Sequence, residues 1–166
     1  MRELVIRCFP VYFLDESGID HRLYSAYARA PRGEAVYAEV PGSGGNSGRT
    51  SVISASRDGR TLVAPFTFEG HCNRDVVEVY FREMLLPSIP AGSVIVLDNA
   101  SFHRSPSLQV LVESAGCSLM FLPAYSPDLN PIEHVWASLK KSLQGRLQKA
   151  KNKRLLIGKA CLSLCA

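Results

Sequence analysis

Val94-Ile95-Val96-Leu97-Asp98 is a run of four aliphatic residues that stops at a carboxylate. With no polar face, such a run predicts a short strand covered on both sides, at the centre of a sheet flanked by helices. A charge placed directly after four buried aliphatics is costly unless something compensates it. Strands in sheets of this kind carry ligands and catalysis at their carboxyl ends. The rest of the chain has to supply that sheet and that compensation.

Upstream, residues 73–86 carry Val76, Val77, Tyr80 and Met84 at helical spacing, with acids near the start and Pro87 and Pro90 expected to end the helix. Residues 50–56 and 61–68 alternate apolar and polar side chains around Arg57-Asp58-Gly59-Arg60, the pattern of a β-hairpin with a type I′ turn. Farther back, Cys8-Phe9-Pro10-Val11-Tyr12-Phe13-Leu14 reads as a second buried strand, closed at Asp15-Glu16-Ser17-Gly18. Residues 21–30 and 35–40 are weaker extended stretches, and residues 41–48 are a glycine-rich loop that fits neither phosphate-binding glycine motif.

Downstream, residues 107–114 read as a helix and 118–122 as a short strand. After a proline-rich turn, a helix is expected from Pro131, with Asn130 as its N-cap. Its apolar stripe is Ile132, Val135, Trp136, Leu139, Leu143 and Leu147. Residues 152–164 form a weaker helical candidate. Strands, a hairpin, then helix–strand–helix–strand–helix describe an α/β mixed sheet with helices packed on it.

Composition agrees. The chain has 166 residues, 46% hydrophobic and 20% charged, enough for a core and inside the range of one domain. Five cysteines without a C-x-x-C spacing argue against a disulfide framework or a zinc knuckle. No apolar run approaches the roughly 18–20 residues needed to cross a bilayer, and the N-terminus has no signal-peptide core, so a cytoplasmic location is expected. The net charge of +4 is unevenly spread: eight Lys and Arg residues and no acid lie between His134 and Ala166. A basic C-terminal region suggests a polyanion, nucleic acid first, although a solvated lysine-rich helix reads the same way.

Three acids stand out: Asp15 and Asp98 at strand ends, and Glu133 in the first turn of the last strong helix. If they converge they repel one another, and a hard divalent cation is the natural compensation. Two such ions about 4 Å apart would clamp both oxygens of a phosphodiester displacement. On the same grounds, neutralising Asp98 is expected to leave stability level or raise it. Each acid has a plainer reading: Asp15 as a turn residue, Asp98 as an Asx turn, Glu133 as half of a capping box with Asn130. Spacing alone does not choose.

The motifs do. Phe13-Leu14-Asp15-Glu16-Ser17-Gly18, Val96-Leu97-Asp98-Asn99-Ala100-Ser101-Phe102-His103 and Leu122-Pro123-Ala124-Tyr125-Ser126-Pro127-Asp128-Leu129-Asn130-Pro131-Ile132-Glu133-His134-Val135-Trp136 resemble the catalytic domain of DDE-superfamily transposases, in the bacterial insertion-sequence branch of the mariner superfamily. Asp98 and Glu133 are separated by 34 residues, the interval of that branch. The resemblance covers about residues 9–148. It implies an RNase H-like fold over residues 1–148, a mixed five-stranded sheet with helices on both faces, followed by a basic segment, 149–166. Asp15, Asp98 and Glu133 match the metal-binding triad, which implies Mg²⁺ or Mn²⁺, two ions in all.

Asn99, His103, Tyr125, Asp128 and Asn130 fall inside the motifs as orienting or loop-shaping residues. His134 reads as an orienting or surface histidine, and Trp136 as a core anchor before a base-stacking platform. The implied activity is cleavage at a transposon end and strand transfer to target DNA. Lys140, Lys141, Arg146 and Lys149 are the expected phosphate contacts, and homo-oligomers are expected. Relatives carry an upstream helix-turn-helix region for end recognition; here the first strand begins by about residue 9, so a separate upstream reading-frame product is an expected partner. A bacterial location, on the nucleoid when DNA-bound, follows. The rival reading is a catalytically idle remnant that binds DNA or partner chains non-specifically.

Overall fold

The structure, a computed structural model, describes residues 9–21, 23, 32, 48–100, 103–123 and 127–165. Most of the two weaker extended stretches, nearly all of the glycine-rich loop, Cys8 and Tyr125 lie outside them.

Five strands, β1 (Val11–Asp20), β2 (Arg49–Ser56), β3 (Val63–Glu69), β4 (Val94–Leu97) and β5 (Ser118–Phe121), form one sheet in the order β3-β2-β1-β4-β5. β1 is antiparallel to β2, and β2 to β3, whereas β1 with β4 and β4 with β5 are parallel. Each parallel step needs a helical crossover. The first contains α1 (Arg74–Tyr80), a π-helical turn (Phe81–Leu85) and α2 (Leu86–Ser88); the second is α3 (Pro106–Ser114). α4 (Ile132–Leu143) and α5 (Lys153–Leu162) complete the chain.

Helices cover both faces. On one, Val77, Tyr80, Phe81, Leu85, Leu108 and Val112 meet Tyr12, Leu14, Ile53, Ala55, Ile95 and Leu97. On the other, the whole predicted stripe of α4 is buried with Ile19, Val52 and Leu62. β1 is the middle strand, and the aliphatic run of β4 lies between it and the edge strand β5, with Ile95, Val96 and Leu97 all buried. The mixed five-stranded sheet with helices on both faces is as expected.

Local chemistry explains the departures. The first-crossover helix does not stop before Pro87, because a widened turn intervenes: the N–H of Leu86 donates to Phe81 five residues back, and the chain passes Pro87 before ending. The hairpin forms, but its turn is not type I′. Gly59 has φ +67°, while Asp58 does not share the left-handed region. Instead the Asp58 carboxylate accepts from the N–H groups of Arg60 and Thr61, both at 2.8 Å, which holds its pKa down at about 2. One extra residue in β3 makes a bulge at Ala64, φ +51°, beside Pro65 on the sheet edge. Gly59 also lets the hairpin turn approach α4: a Cβ there would lie 2.7 Å from Pro131 Cβ.

Asn130 does not cap α4 by its side chain; no side-chain hydrogen bond closes that helix start. Its Nδ2 instead reaches across the sequence to the carbonyl of Leu14, at 3.4 Å.

The described part of the basic segment 149–166 packs on the body. Asn152 Oδ1 caps α5 by accepting from Leu155 N at 2.9 Å. Ile157, Ala160 and Cys161 are buried in the α4 cluster, and Leu62 N donates to Leu164 O at 2.8 Å. Ile157→Ala should therefore cost about 2–5 kcal/mol in urea unfolding. The exposed Lys159→Ala should stay within about 0.5 kcal/mol. Equal, negligible effects would show that α5 is dispensable to the fold.

Candidate active site

Parallel pairing of β1 with β4 carries the site. Val11, Tyr12 and Phe13 pair with Val94, Ile95 and Val96, so Asp15 and Asp98 each follow two residues beyond the last of these pairs. Both acids thus stand just past the end of the β1–β4 ladder, but only Asp98 ends its strand. β1 runs on to Asp20 paired with β2, so Asp15 lies inside its strand and not at the end the sequence suggested. Alternation along β1 divides its two consecutive acids. Tyr12 and Leu14 enter the α1 side of the core, and Glu16 continues that face; Asp15 points to α4.

On the α4 side, Trp136 Nε1 donates to Asp15 Oδ2 at 3.0 Å. The indole body remains in the core, and its one polar atom orients the carboxylate. Trp136 is thus the core anchor the sequence predicts, with this second task. Glu133, exposed in the first turn of α4, lies near enough for its charge to act on Asp15. Burial, then the charges of Glu16 and Glu133, raise the Asp15 pKa to about 7.

Asp98 sits in a different environment. His103 Nδ1 bonds to Asp98 Oδ1 at 2.7 Å and His103 Nε2 to Glu16 Oε1 at 2.9 Å. The His103 side chain is fully buried, that of Glu16 is 15% exposed and that of Asp98 is 52% exposed. Burial works against a charged imidazole, but the bonds to Asp98 and Glu16 outweigh it, and the pKa rises to about 9. In return the His103 bond holds the Asp98 carboxyl below its ordinary range, against the effect of burial. The expected repulsion therefore falls on Asp15, whereas Asp98 is stabilised in its charged form. Neutralising Asp98 removes a favourable partner, so the expected gain in stability does not apply there.

The predicted triad is only partly gathered. Asp15 and Glu133 are coupled, Asp98 is engaged by His103, and among the described residues no three His, Cys, Asp or Glu side chains converge to hold an ion. The donor chemistry nonetheless fits a hard divalent cation, which takes carboxylate and amide oxygens. Asn99 Oδ1 and Asn130 Oδ1 are buried with no hydrogen-bond partner among the described residues, one beside Asp98 in sequence and the other just before α4. Asp128 is exposed on the 3₁₀ turn Pro127–Leu129, and His134 is exposed on α4.

Two participants are not marked by the motif reading, Glu16 and Cys72. The Cys72 thiol donates to Glu16 Oε1 at 3.5 Å, and burial together with the Glu16 charge pushes its pKa well up, so it stays a neutral thiol. Strand alternation was the signal for Glu16; nothing local marks Cys72.

Asp15 makes stability pH-dependent in a definite sense. With a folded pKa of about 7 against 3.8 unfolded, the folded state holds the proton longer, so stability falls as pH rises from about 4 to 7. Asp15→Asn keeps an oxygen for Trp136 and removes that loss. With chelator present, the gain over the unsubstituted chain should be absent at pH 4 and grow to at most about 4 kcal/mol above pH 7. A pH-independent difference in urea midpoints would contradict it.

Residues 10–157 match the family described as DDE superfamily endonuclease. The chain is 36% identical over 80 residues to the uncharacterized protein y4pE/y4sA of Sinorhizobium fredii, across 47% of this chain and 53% of that one. It is 34% identical over 71 residues to the transposable element Tc1 transposase of Caenorhabditis elegans, across 43% of this chain and 26% of that one. The chain thus spans about half, or less, of the curated relatives it matches. Among solved structures, the Mos1 strand transfer complex superposes with TM-score 0.64 at 16% identity, over 95% of this chain and 55% of that one. The catalytic core domain of BIV integrase gives 0.56 at 12% identity, over 93% of this chain and 82% of that one. Identities this low show a shared fold, the RNase H-like arrangement of the sheet described above. The family match, which spans Asp15, Asp98 and α4, goes further: the chain belongs to the DDE superfamily of endonucleases.

Proposed function

We propose that this chain is the catalytic part of a DNA transposase that cleaves a phosphodiester at a transposon end and joins the freed 3′-hydroxyl to target DNA. The observation that carries this reading is the presence of two acids on adjacent parallel strands, each two residues past the last pair of their shared ladder, with a third acid on α4 whose charge acts on the first. Asp15, Asp98 and Glu133 are the residues that would hold Mg²⁺ or Mn²⁺, two ions in all. Bound cations supply the positive charge that activates the attacking oxygen and offsets charge on the leaving one.

The chain's own groups do the rest. Trp136 fixes one oxygen of Asp15, and α4 presents Glu133 toward it. Asn99 and Asn130 offer amide oxygens beside the acids. Lys140 stands seven residues after Glu133 on α4, hence on nearly the same helix face and about 10 Å further along. Together with exposed Lys141, Arg146 and Lys149 it suits phosphates flanking the scissile bond. Lys140 and Lys141 also complement the helix dipole, a role compatible with binding phosphate. Transposon ends and target DNA are the partners this reading requires. Pairing of ends calls for more than one copy of the chain, and sequence-specific end recognition is assigned to an upstream segment or product. A bacterial location on the nucleoid belongs to the same reading, and no helix among the described residues is long and apolar enough to cross a membrane.

One observation favours the rival reading of an idle DNA-binding remnant: Asp98 is turned to His103, and the three acids do not converge. The test is cleavage of labelled transposon-end DNA with Mg²⁺ or Mn²⁺, with and without the upstream reading-frame product. Asp98→Asn and Asp15→Asn should each lower cleavage by orders of magnitude, whereas full activity in either variant removes that residue from the site. Non-specific duplex binding should show Kd on the order of 10⁻⁴–10⁻⁶ M. Lys140→Ala with Lys141→Ala should flatten the log–log salt slope by about 0.9 for each phosphate that is no longer neutralised. An unchanged slope would leave these lysines as helix-end charges only.

A further inference from the structure

We infer that Glu16 and His103 form a cross-sheet brace that positions Asp98, so that one Asp98 oxygen is held by His103 and the other is presented to the site. The inference rests on the functional reading above and adds two positioning residues to it.

The geometry is specific. Asp15 and Glu16 are neighbours in β1 but face opposite sides of the sheet. Asp15 meets Trp136 of α4, whereas Glu16 meets His103 and Cys72 on the α1 side. His103, fully buried in the segment after β4, bonds Asp98 Oδ1 through Nδ1 and Glu16 Oε1 through Nε2. Each ring nitrogen therefore has a fixed carboxylate partner, which sets both the tilt and the depth of the imidazole. Asp98 lies past the last residue of β4, where the sheet ladder no longer fixes the backbone, and its side chain is half-exposed. An exposed carboxylate on an unpaired residue would sample many rotamers. Bonding to a buried ring that is itself anchored to a central strand restricts it. An imidazole that orients one end of a carboxylate and is itself oriented from behind is the arrangement found around metal ligands, where loss of the outer partner weakens binding by roughly 10–100-fold. The brace thus gives the two β1 acids separate tasks: Asp15 is a direct ligand, and Glu16 acts through His103.

The sole tryptophan makes this measurable without cleavage. Trp136 is hydrogen-bonded to Asp15, so its fluorescence should report Mn²⁺ arriving at that carboxylate. The side-chain nitrogen of Asn falls near the position of imidazole Nδ1, and that of Gln near Nε2. His103→Asn therefore keeps a donor for Asp98, and His103→Gln keeps one for Glu16. In Mn²⁺ titrations of the full chain, His103→Asn, which keeps the Asp98 bond but loses the Glu16 anchor, should bind a few-fold more weakly than the unsubstituted protein. His103→Gln, which loses the Asp98 bond itself, should bind roughly 10–100-fold more weakly. A merely structural histidine would give the two variants equal Mn²⁺ affinity, and that result overturns the brace. Should either variant fail to fold, Glu16→Gln and Glu16→Ala decide the matter. The Gln variant keeps an acceptor for Nε2 and should retain affinity, the Ala variant should weaken it a few-fold as His103→Asn does, and equal affinities again overturn the inference. A Trp136 response that is absent in the unsubstituted chain, or that survives Asp15→Asn, would instead remove the cation from Asp15. That outcome sinks the functional reading and the brace together, and so is distinct from failure of the brace alone.

Discussion

Parallel pairing of β1 with β4 is the interaction on which the rest of the molecule depends. It joins segments some eighty residues apart, and a parallel step is possible only with a crossover, here the helical stretch from α1 to α2. Once made, it buries Ile95, Val96 and Leu97 between helices on both faces. It also places two carboxylates just past its own last pair, Asp15 on β1 and Asp98 after β4. The cost is electrostatic: negative charge accumulates where water is partly excluded.

Two different solutions to that cost stand side by side. Asp98 is half-exposed and bonded to His103, and its charged form is favoured. Asp15 is more enclosed, has Glu16 and Glu133 as neighbours, and holds its proton up to about pH 7. Acids whose environments push their pKa values apart are characteristic of sites that perform chemistry rather than of surface turns. Two of the plainer readings fail on a particular bond or position, and the third, the Asx turn at Asp98, holds but is only part of the geometry. Asp15 lies inside a ten-residue strand, not in a turn. Asp98 does accept from Ala100 N at 3.1 Å, as an Asx turn would, but the shorter bond from His103 accompanies it. Asn130 turns to Leu14 instead of capping α4, which leaves Glu133 outside a capping box.

The basic C-terminal region combines two roles. Leu147, Ile157, Ala160 and Cys161 close the face of the sheet that carries Asp15, while Lys141, Arg146, Lys149 and Lys159 remain in solvent. Charge and core are interleaved over the same residues, so the net +8 there belongs to a packed helical layer. The hairpin turn supports that layer from the other side, because Gly59 lies against Pro131 at the start of α4. Glu133 is thereby set by packing at both ends of its helix.

Sequence by itself determined what local physics controls. The run 94–97 could only be a doubly covered strand, the stripe from Ile132 to Leu147 could only face a core, and Asp58-Gly59 could only turn a hairpin. Motif wording marked Asp15, Asp98 and Glu133 and implied the mixed five-stranded sheet. Tertiary structure decided what depends on register and on packing between distant segments. The passage of the first-crossover helix through Pro87 depends on a widened turn that no residue pattern announces. Residues 153–162 lack a clean apolar stripe, and their helix is held by the groove beside Leu62 and α4 rather than by periodicity. His103 and Glu16 are 87 residues apart, and only the alternation of β1 beside the end of β4 brings them within 2.9 Å. Periodicity reports which side of its own element a residue occupies; which residue faces it from another element is set by how the strands pair.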